Sequence, residues 1–179
     1  MVSACQREIS AITSFVRSTA CIGPLGTLRR STFEGLAHRI LRRGGEFTVR
    51  DLDSNRGEQF DINIPRLASK SFADWSQVRN SSNNHYFQPF SKVLKAVDAL
   101  ERPNKLFQMT VAVDHPIHAS GLVEAIKNPG CEGEVCLYFP LPADRFYRFK
   151  KQFFYRPTLR KMNHNSKLVG LWKTMRMQF

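Results

Sequence analysis

Hydrophobic residues follow two different periods along this chain. Strict alternation predicts β-strands, because successive side chains of a strand point to opposite faces of a sheet. Recurrence at i, i+3, i+4 and i+7 predicts an amphipathic helix. The strand pattern occurs at residues 7–16, 47–64, 105–114 and 133–139. The chain is therefore expected to mix strands with helices.

The helical pattern first occurs at residues 33–41. Ser31 and Glu34 have the spacing of a capping box, which favours a helix start at that point. Gly44 follows the last hydrophobic position and is typical of a helix end, since glycine tolerates the left-handed backbone found there. A helix that ends at Gly44 is therefore predicted.

Two further helices are predicted later in the chain. Residues 119–126 have hydrophobic side chains on one face, with Pro116 suited to the first turn and Asp114 placed as a possible cap. The sequence NPG at 128–130 is expected to stop this helix. A shorter helix is expected between residues 91 and 101, which also have hydrophobic positions on one stripe.

The strand pattern at 47–64 contains a polar, glycine-bearing interruption at Asn55–Gly57. An interruption of this kind predicts one long strand with a bulge or tight turn, which twists and bends the strand. The far half of such a strand can project past the sheet and offer its backbone to a neighbouring protein.

Residues 66–103 are rich in Ser and Asn without a steady period, so they are expected to be an inserted surface excursion. Without them the order is strand, helix, strand, strand, helix, strand. Right-handed crossovers would place both helices on one face of a four-stranded antiparallel sheet. The predicted fold class is therefore α+β, a ferredoxin-like βαββαβ sandwich at 1–140 with a basic C-terminal extension at 141–179. Proteins with this fold have many unrelated functions, so the order of the elements does not by itself indicate a function.

Charge narrows the class of partner. The chain has 27 Lys and Arg against 15 Asp and Glu, a formal net charge of +12 at pH 7. Such an excess favours a polyanionic partner. No hydrophobic run approaches the roughly 18 residues that span a bilayer, so nucleic acid is favoured over membrane.

The sequence lacks the motifs of an enzyme. It has no paired carboxylates in a motif, no GxSxG, no phosphate-binding glycine loop and no activated Cys-His arrangement. The four cysteines lack CxxC spacing, which favours reduced thiols. His115 and His118 could share a metal, but no second ligand pair has matching spacing. We expect a binding protein without metal, cofactor or small-molecule substrate.

The first 30 residues contain Arg7, Arg17, Arg29 and Arg30, several Ser and Thr, and one acid, Glu8. This composition is typical of a mitochondrial transit peptide. The strand predicted at 7–16 could then serve both as a structural element and as a targeting signal. A mitochondrial location is expected.

The sequence RRGGEFTVRDLDSNRGEQFDINI at 42–64 resembles the second-strand signature of the small-subunit ribosomal protein six family, especially its mitochondrial members. The similar features are a helix that ends in glycine, a run from Val49 to Asp53, Gly57 beside Arg56, and an alternating strand from Phe60 to Ile64. The later run FQMTVAVDHPIHASGLVEAI resembles the family's third strand and the helix that follows it.

The resemblance covers roughly residues 7–140 apart from the insert. It implies a structural component of the mitochondrial small ribosomal subunit that binds small-subunit rRNA. It also implies small-subunit ribosomal protein eighteen and other ribosomal proteins as partners. The projecting half of the second strand would then meet ribosomal protein eighteen.

The segment 144–179 has ten Lys or Arg and one acid, interleaved with aromatic residues. This composition favours an RNA surface, because cations pair with phosphates and rings can stack on unpaired bases. The alternative is that the rings pack into this domain or a neighbouring protein while the charges are solvated. Together with arginines in and near the second strand, the candidate RNA-binding residues are Arg50, Arg56, Arg66, Arg145, Arg148, Lys150, Lys151, Arg156, Arg160 and Lys161.

A second hypothesis is a basic accessory subunit of a mitochondrial membrane complex. Such a subunit would bury the aromatic residues of 144–179 in protein and keep few cations near phosphates. Both hypotheses describe a protein that acts by assembly and not by turnover.

Overall fold

The computed structural model of the protein describes residues 4–20, 22–53, 58–90, 96–155 and 172–178, and at 4–6 and 172–178 it describes the backbone alone. The helices in this part of the chain are α1 Ala4–Ser18, α2 Gly26–Arg43, α3 Trp75–Arg79, α4 Ala119–Lys127 and α5 Ala143–Phe146. The strands are β1 Gly45–Asp51, β2 Gln59–Ile64, β3 Ala68–Phe72, β4 His85–Pro89, β5 Ala99–Glu101, β6 Lys105–Phe107, β7 Ile117–His118, β8 Val135–Leu141, β9 Phe154–Tyr155 and β10 Trp172–Gln178.

Eight of these strands form one mixed sheet in the order β2, β1, β10, β8, β6, β5, β4, β3. The pairs β10 with β8, β8 with β6 and β3 with β4 are parallel, and the other neighbours are antiparallel. β7 and β9 form a separate parallel pair. The α+β class is confirmed. The predicted four-stranded antiparallel sheet is wrong, because parallel and antiparallel pairs mix in one larger sheet that has no specifically ferredoxin-like topology.

The sheet is strongly curled. Eight strands laid flat would be about 34 Å wide, at about 4.8 Å between neighbours. The two edge strands, β2 and β3, are joined by only residues 65–67, which reach about 15 Å at most. The edges must therefore approach each other, and the sheet has an inner and an outer face.

Hydrophobic side chains pack on both faces. On the inner face, Phe33 of α2 belongs to one cluster with Phe47 of β1 and Tyr86 of β4, strands from opposite halves of the sheet. On the outer face, Leu122 of α4 and Phe149 cluster with residues of β8 and its neighbours. The curl lets one helix, α2, contact distant strands at once.

Residues 7–16 lie within α1, so the strand predicted there is wrong. The same residues also contain a helical repeat: Ile9, Ile12, Thr13 and Val16 recur at i, i+3, i+4 and i+7, and each is partly or fully buried. Both periods coexist in this sequence. Packing of α1 against α2 selects the helical one.

α2 begins at Gly26, before the predicted capping box, and its start has no side-chain cap. Its end is where the sequence predicted it. Gly44 has φ 69°, and its N–H donates to the Leu41 carbonyl at 3.1 Å. A Cβ on Gly44 would collide with the Ile64 carbonyl, so glycine allows both the backbone angle and the close approach of β2.

β1 and β2 form an antiparallel hairpin, so the single bent strand predicted across 47–64 is wrong. Gly45 pairs with Ile64 and Phe47 pairs with Ile62, which places the alternating hydrophobic positions of both strands on one face. Alternation alone does not distinguish one bent strand from two paired strands, because both have the same period. The residues predicted to carry the break lie in 54–57, outside the described residues.

Residues 66–103 are not a surface insert, since they supply β3, α3, β4 and β5. Tyr86 and Phe87 of β4 are fully buried on opposite faces of the sheet. The polar composition arises partly because the edge strand β3 exposes four of its five side chains. The helix predicted between 91 and 101 falls partly outside the described residues, and its last three positions form β5.

The second half of the predicted core is closer to the structure. β6 is shorter than the strand predicted at 105–114, although the Gln108 N–H still donates to β8 at the Tyr138 carbonyl. The helix predicted before the sequence NPG is confirmed as α4, but it begins at Ala119, so Pro116 precedes it and does not lie in its first turn. The last strand is confirmed as β8. The α4 cap is His118, not Asp114: its Nδ1 accepts from the Gly121 N–H at 3.2 Å.

The C-terminal segment contributes to the sheet. β10 lies between β1 and β8, in its interior. Phe146 and Phe149 are buried, and Phe149 belongs to the outer-face cluster. The packed fold therefore continues past the boundary predicted at residues 140 and 141.

Candidate nucleic-acid interface

The positive charge is unevenly distributed along the chain. Residues 145–179 contain ten Lys and Arg and no acid, whereas residues 1–144 contain 17 Lys and Arg against 15 Asp and Glu. Most of the formal net charge of +12 therefore belongs to the C-terminal segment. A polyanion is expected to bind near these residues.

Residues 156–171 contain four of these ten cations and are called the basic connection below. It lies outside the described residues, but the strands at its two ends are described. β9, directly before it, pairs with β7, and β10, directly after it, pairs with β1 and β8. Described strands therefore lie at both ends of a segment whose charged residues are all Lys or Arg. The candidates Arg156, Arg160 and Lys161 belong to it.

Three of the six Phe and Tyr rings of residues 144–155 pack inward. Phe146 and Phe149 are 0% exposed and Phe154 is 9% exposed, whereas Tyr147 is 66% exposed. Phe149 packs on Phe139 of β8, with 5.0 Å between ring centroids. Half of the rings of this segment therefore pack into the domain, as in the alternative hypothesis. Within the segment, Tyr147 is the ring best exposed for stacking on a base.

The cations of the same segment have different surroundings. Arg148 and Lys150 are exposed. Lys151 forms a 2.9 Å ion pair with Asp53, just beyond the end of β1. Arg145 donates from Nη2 to the Ala20 carbonyl at 3.1 Å. Arg145 thus joins α5 to the residues after α1.

Arg50 lies in β1 on the outer face, because its neighbours Phe47 and Val49 belong to the inner-face cluster. It is half-buried, and its Nε has no hydrogen-bond partner among the described residues. The register of β1 with β10 places Arg176 directly beside it. The position of Arg176 could not be predicted, because pairing between strands 126 residues apart in sequence leaves no local signal.

Two groups of candidates are separated by the fold. Asp51 pairs with Met175, so the end of β1 and the start of β10 lie at the same end of the sheet. The hairpin turn with Arg56, itself outside the described residues, begins at this end, and Lys151 reaches it through Asp53. Arg66 lies toward the opposite end, since Ile64 pairs with Gly45. The structure brings Arg50 and Lys151 toward one region and leaves Arg66 elsewhere.

One arginine that sequence analysis left out of the candidate list has a structural role. Arg29 is buried, donates from Nε to the Val16 carbonyl at 2.9 Å and pairs with Asp144 at 2.9 Å. It thereby joins α1, α2 and α5. Nothing in the local sequence distinguishes it from its neighbour Arg30, which is exposed.

A buried polar cluster lies between α2 and the sheet. The Nδ1 of His38 and the hydroxyl of Tyr86 are 2.7 Å apart, and both residues are buried. Burial, and next the charge of Asp98, raise the pKa of Tyr86 well above its usual value, while Arg42 opposes this rise. A hydroxyl with no solvent exposure presents no reactive group to a substrate, so the cluster fits a role in fixing α2 against β4.

The metal and thiol chemistry considered for this sequence has little support from the geometry. His118 caps α4, and the ring of His115 packs edge-on against Phe139. No group of three or more His, Cys, Asp and Glu in the described parts of the chain could hold a metal ion. Burial raises the pKa of the Cys131 thiol to about 11, which disfavours a reactive thiolate.

No protein family, curated protein or solved structure matches this chain. Among the described residues, no helix is long and apolar enough to cross a membrane.

Proposed function

We propose that this protein binds RNA through the phosphate backbone and acts as a structural part of an assembly, without turnover. The observation that carries the proposal is the separation of charge. Residues 145–179 have ten cations and no acid, while residues 1–144, with 17 cations against 15 acids, are nearly balanced. A backbone of regularly spaced phosphates is the partner that such segments neutralise best.

The position of the basic connection supports the proposal. Because β9 and β10 hold its ends, less conformational entropy is lost when its cations meet a ligand than for a free tail. Because Phe146, Phe149 and Phe154 pack inward, Tyr147 is the exposed ring of residues 144–155, so contacts to phosphates should dominate over base stacking.

The setting of this binding stays a prediction. The small ribosomal subunit and ribosomal protein eighteen come from the family resemblance, and the mitochondrial location comes also from the N-terminal composition. The hairpin of β1 and β2 removes the projecting strand on which that protein partner was expected. The edge strand β2 is the part of this region that could still pair with another chain.

The test replaces the four cations of the basic connection with glutamine: Arg156, Arg160, Lys161 and Lys167. Binding of a single-stranded RNA 20-mer is measured between 50 and 200 mM salt. If all four meet phosphates, the log-log salt slope should fall by about 3, at about 0.7 per phosphate. The melting temperature of the variant is compared with that of the unchanged protein, so that a loss of folding is not mistaken for a loss of binding.

A matched control removes four exposed cations from other regions: Arg7, Arg17, Lys70 and Lys127. Both variants have the same net charge. The proposal requires a much larger loss of slope in the first variant than in the control. Equal losses would mean that net charge alone drives binding, and an unchanged slope in the first variant would contradict the proposed interface.

A further inference from the structure

The outer side of the edge strand β2 presents backbone groups to a neighbour. The Asp51 N–H donates to the Glu58 carbonyl at 3.2 Å, so these two residues form a hydrogen-bonded pair of the hairpin. Such pairs alternate along an antiparallel ladder, so every second residue from Glu58 onward bonds to β1. The residues between them direct their N–H and C=O groups away from β1, to the side where the sheet ends: Gln59, Asp61 and Asn63.

This edge is accessible along most of β2 and covered at its last residue. Phe60 is 42% exposed, Ile62 is half-buried and Ile64 is 1% exposed. The chain that leaves β2 is held against the end of α2, because the Leu67 N–H donates to the Arg42 carbonyl at 3.1 Å. A further strand can therefore be added along the first five residues of β2.

The two edges of the sheet are protected differently. β3 has Lys70 in its middle, and an edge lysine is a common protection against pairing with another strand. β2 contains no Lys, Arg or Pro. Its hydrophobic residues Phe60 and Ile62 lie on the inner face, because they pair with Val49 and Phe47. An edge that is hydrophobic on one face and lacks such protection is typical of a strand that a partner covers.

The charge of this edge is opposite to that of the whole chain. The fully exposed charged side chains of β1, β2 and the residue before β2 are all acidic: Glu46, Glu58 and Asp61. Glu46 and Asp61 share the outer face. The exposed Arg43 and Arg66 lie toward the covered end of β2. A strand with Lys or Arg on its outer face is therefore complementary to the accessible part of the edge.

We propose that β2 binds an extended, basic segment of a partner protein as an additional antiparallel strand. The segment would have hydrophobic residues opposite Phe60 and Ile62 on the inner face, and Lys or Arg on the outer face near Asp61. Backbone hydrogen bonds would supply affinity, and the two faces would supply specificity. This inference goes beyond RNA binding and does not depend on it.

The probe is a seven-residue peptide of alternating lysine and valine with blocked ends, and binding is measured by fluorescence anisotropy. In an antiparallel pairing the lysines lie opposite Gln59, Asp61 and Asn63, so the backbone N–H groups of the lysines point at β2. Methylation of these nitrogens should weaken binding by about tenfold or more. Methylation of the valine nitrogens, which point away from β2, should change it less than about twofold. Equal binding of the two methylated peptides would show attraction by charge alone and overturn the proposal.

A pair of protein variants tests the charge of the edge. Asp61→Lys should bind the peptide about five- to tenfold more weakly, because a lysine then faces the lysines of the added strand. Glu132→Lys is the matched control, since Glu132 is exposed in the turn before β8 and the net charge of the two variants is equal. Equal weakening by the two variants would contradict binding at β2.

Amide hydrogen exchange tests the geometry in the unchanged protein. Without peptide, the amides of Gln59, Asp61 and Asn63 should exchange fast, and saturating peptide should slow them by about tenfold or more. The amides of Phe60 and Ile62 should be protected in both states, because they bond to β1. No slowing at the first three amides would overturn the proposal. Protection of these three without peptide that is lost on dilution would assign the edge to a second copy of this chain and overturn its assignment to a basic partner.

Discussion

Residues 144–155 and 156–171 belong to one basic stretch of sequence, but they differ in composition and in relation to the fold. The first segment has six Phe and Tyr residues among its cations, and the second has cations with no Phe, Tyr or Trp. Three phenylalanines of the first segment are buried in the domain. The second segment connects two described strands, β9 and β10.

This difference shows that the aromatic rings and the cations of this stretch have separate roles. Three of the six rings of 144–155 serve packing, and the cations of this segment lie on the surface or pair with acids, as Lys151 does with Asp53. The cations of 156–171 have no neighbouring acid in sequence. An aromatic and basic composition is therefore weak evidence for base stacking unless the exposure of each ring is known.

The largest expected effect tests whether the C-terminal segment is part of the domain. Deletion of residues 172–179 removes β10 and leaves β1 and β8 without the strand that joins them. We expect loss of the cooperative thermal transition, measured by circular dichroism, because a gap opens in the interior of the sheet. A cooperative transition at an unchanged temperature would show that β10 is not needed for the fold.

The next prediction contrasts two neighbouring rings. Phe149→Ala should lower the free energy of unfolding by about 3 to 5 kcal/mol, since it leaves a cavity between Phe139 and the rest of the outer-face cluster. Tyr147→Ala should change it by about 0.5 kcal/mol or less, because Tyr147 is exposed. Urea denaturation measures both. Similar effects for the two variants would contradict the inward packing.

A smaller effect is expected from breaking the ion pair between Asp144, in residues 144–155, and Arg29 of α2. Asp144→Asn leaves the buried Arg29 without its carboxylate and should cost about 2 kcal/mol of stability. Glu8→Gln breaks the exposed pair with Arg39 and should cost about 0.5 kcal/mol or less. Urea denaturation at pH 7 compares the two. An Asp144 variant as stable as the Glu8 variant would argue against a buried ion pair.

The smallest effect concerns pH. Partial burial, and to a lesser extent Arg30, lower the pKa of His115 below its usual value of 6.5. His115 therefore takes up a proton more readily in the unfolded chain than in the folded protein. Its contribution to stability is fully present above pH 6.5 and is lost as the pH falls through the pKa that His115 has in the folded protein. His115→Asn should reduce this loss between pH 6.5 and 5, measured by melting temperature. An unchanged pH profile would exclude His115 as its source.

Part of the candidate site could be predicted from the sequence. The net charge and the basic character of the C-terminal segment are properties of composition, and Arg50 was identified within a predicted strand. The distinction between buried and exposed rings was not available, because Phe149 and Tyr147 flank Arg148 in one run of aromatic and basic residues. The position of Arg176 beside Arg50 depends on the pairing of β1 with β10. The composition of the chain contains no information about which strands pair.

The sequence by itself determined the elements whose signals are local. α2 ends at Gly44, because the backbone there has a positive φ that glycine tolerates. α4 and β8 follow clear helical and alternating periods. Each of these depends on residues within a few positions of one another, so the pattern is enough to predict it.

Only the tertiary structure decided the rest. α1 contains both a strand period and a helical period, and contact with α2 selects the helix. The alternation at 47–64 fits a bent strand and a hairpin equally, and pairing across the turn selects the hairpin. The place of β10 between β1 and β8 joins residues far apart in sequence. Their pairing depends on long-range hydrogen bonds and burial on two faces, and these energies exist only once the chain has folded.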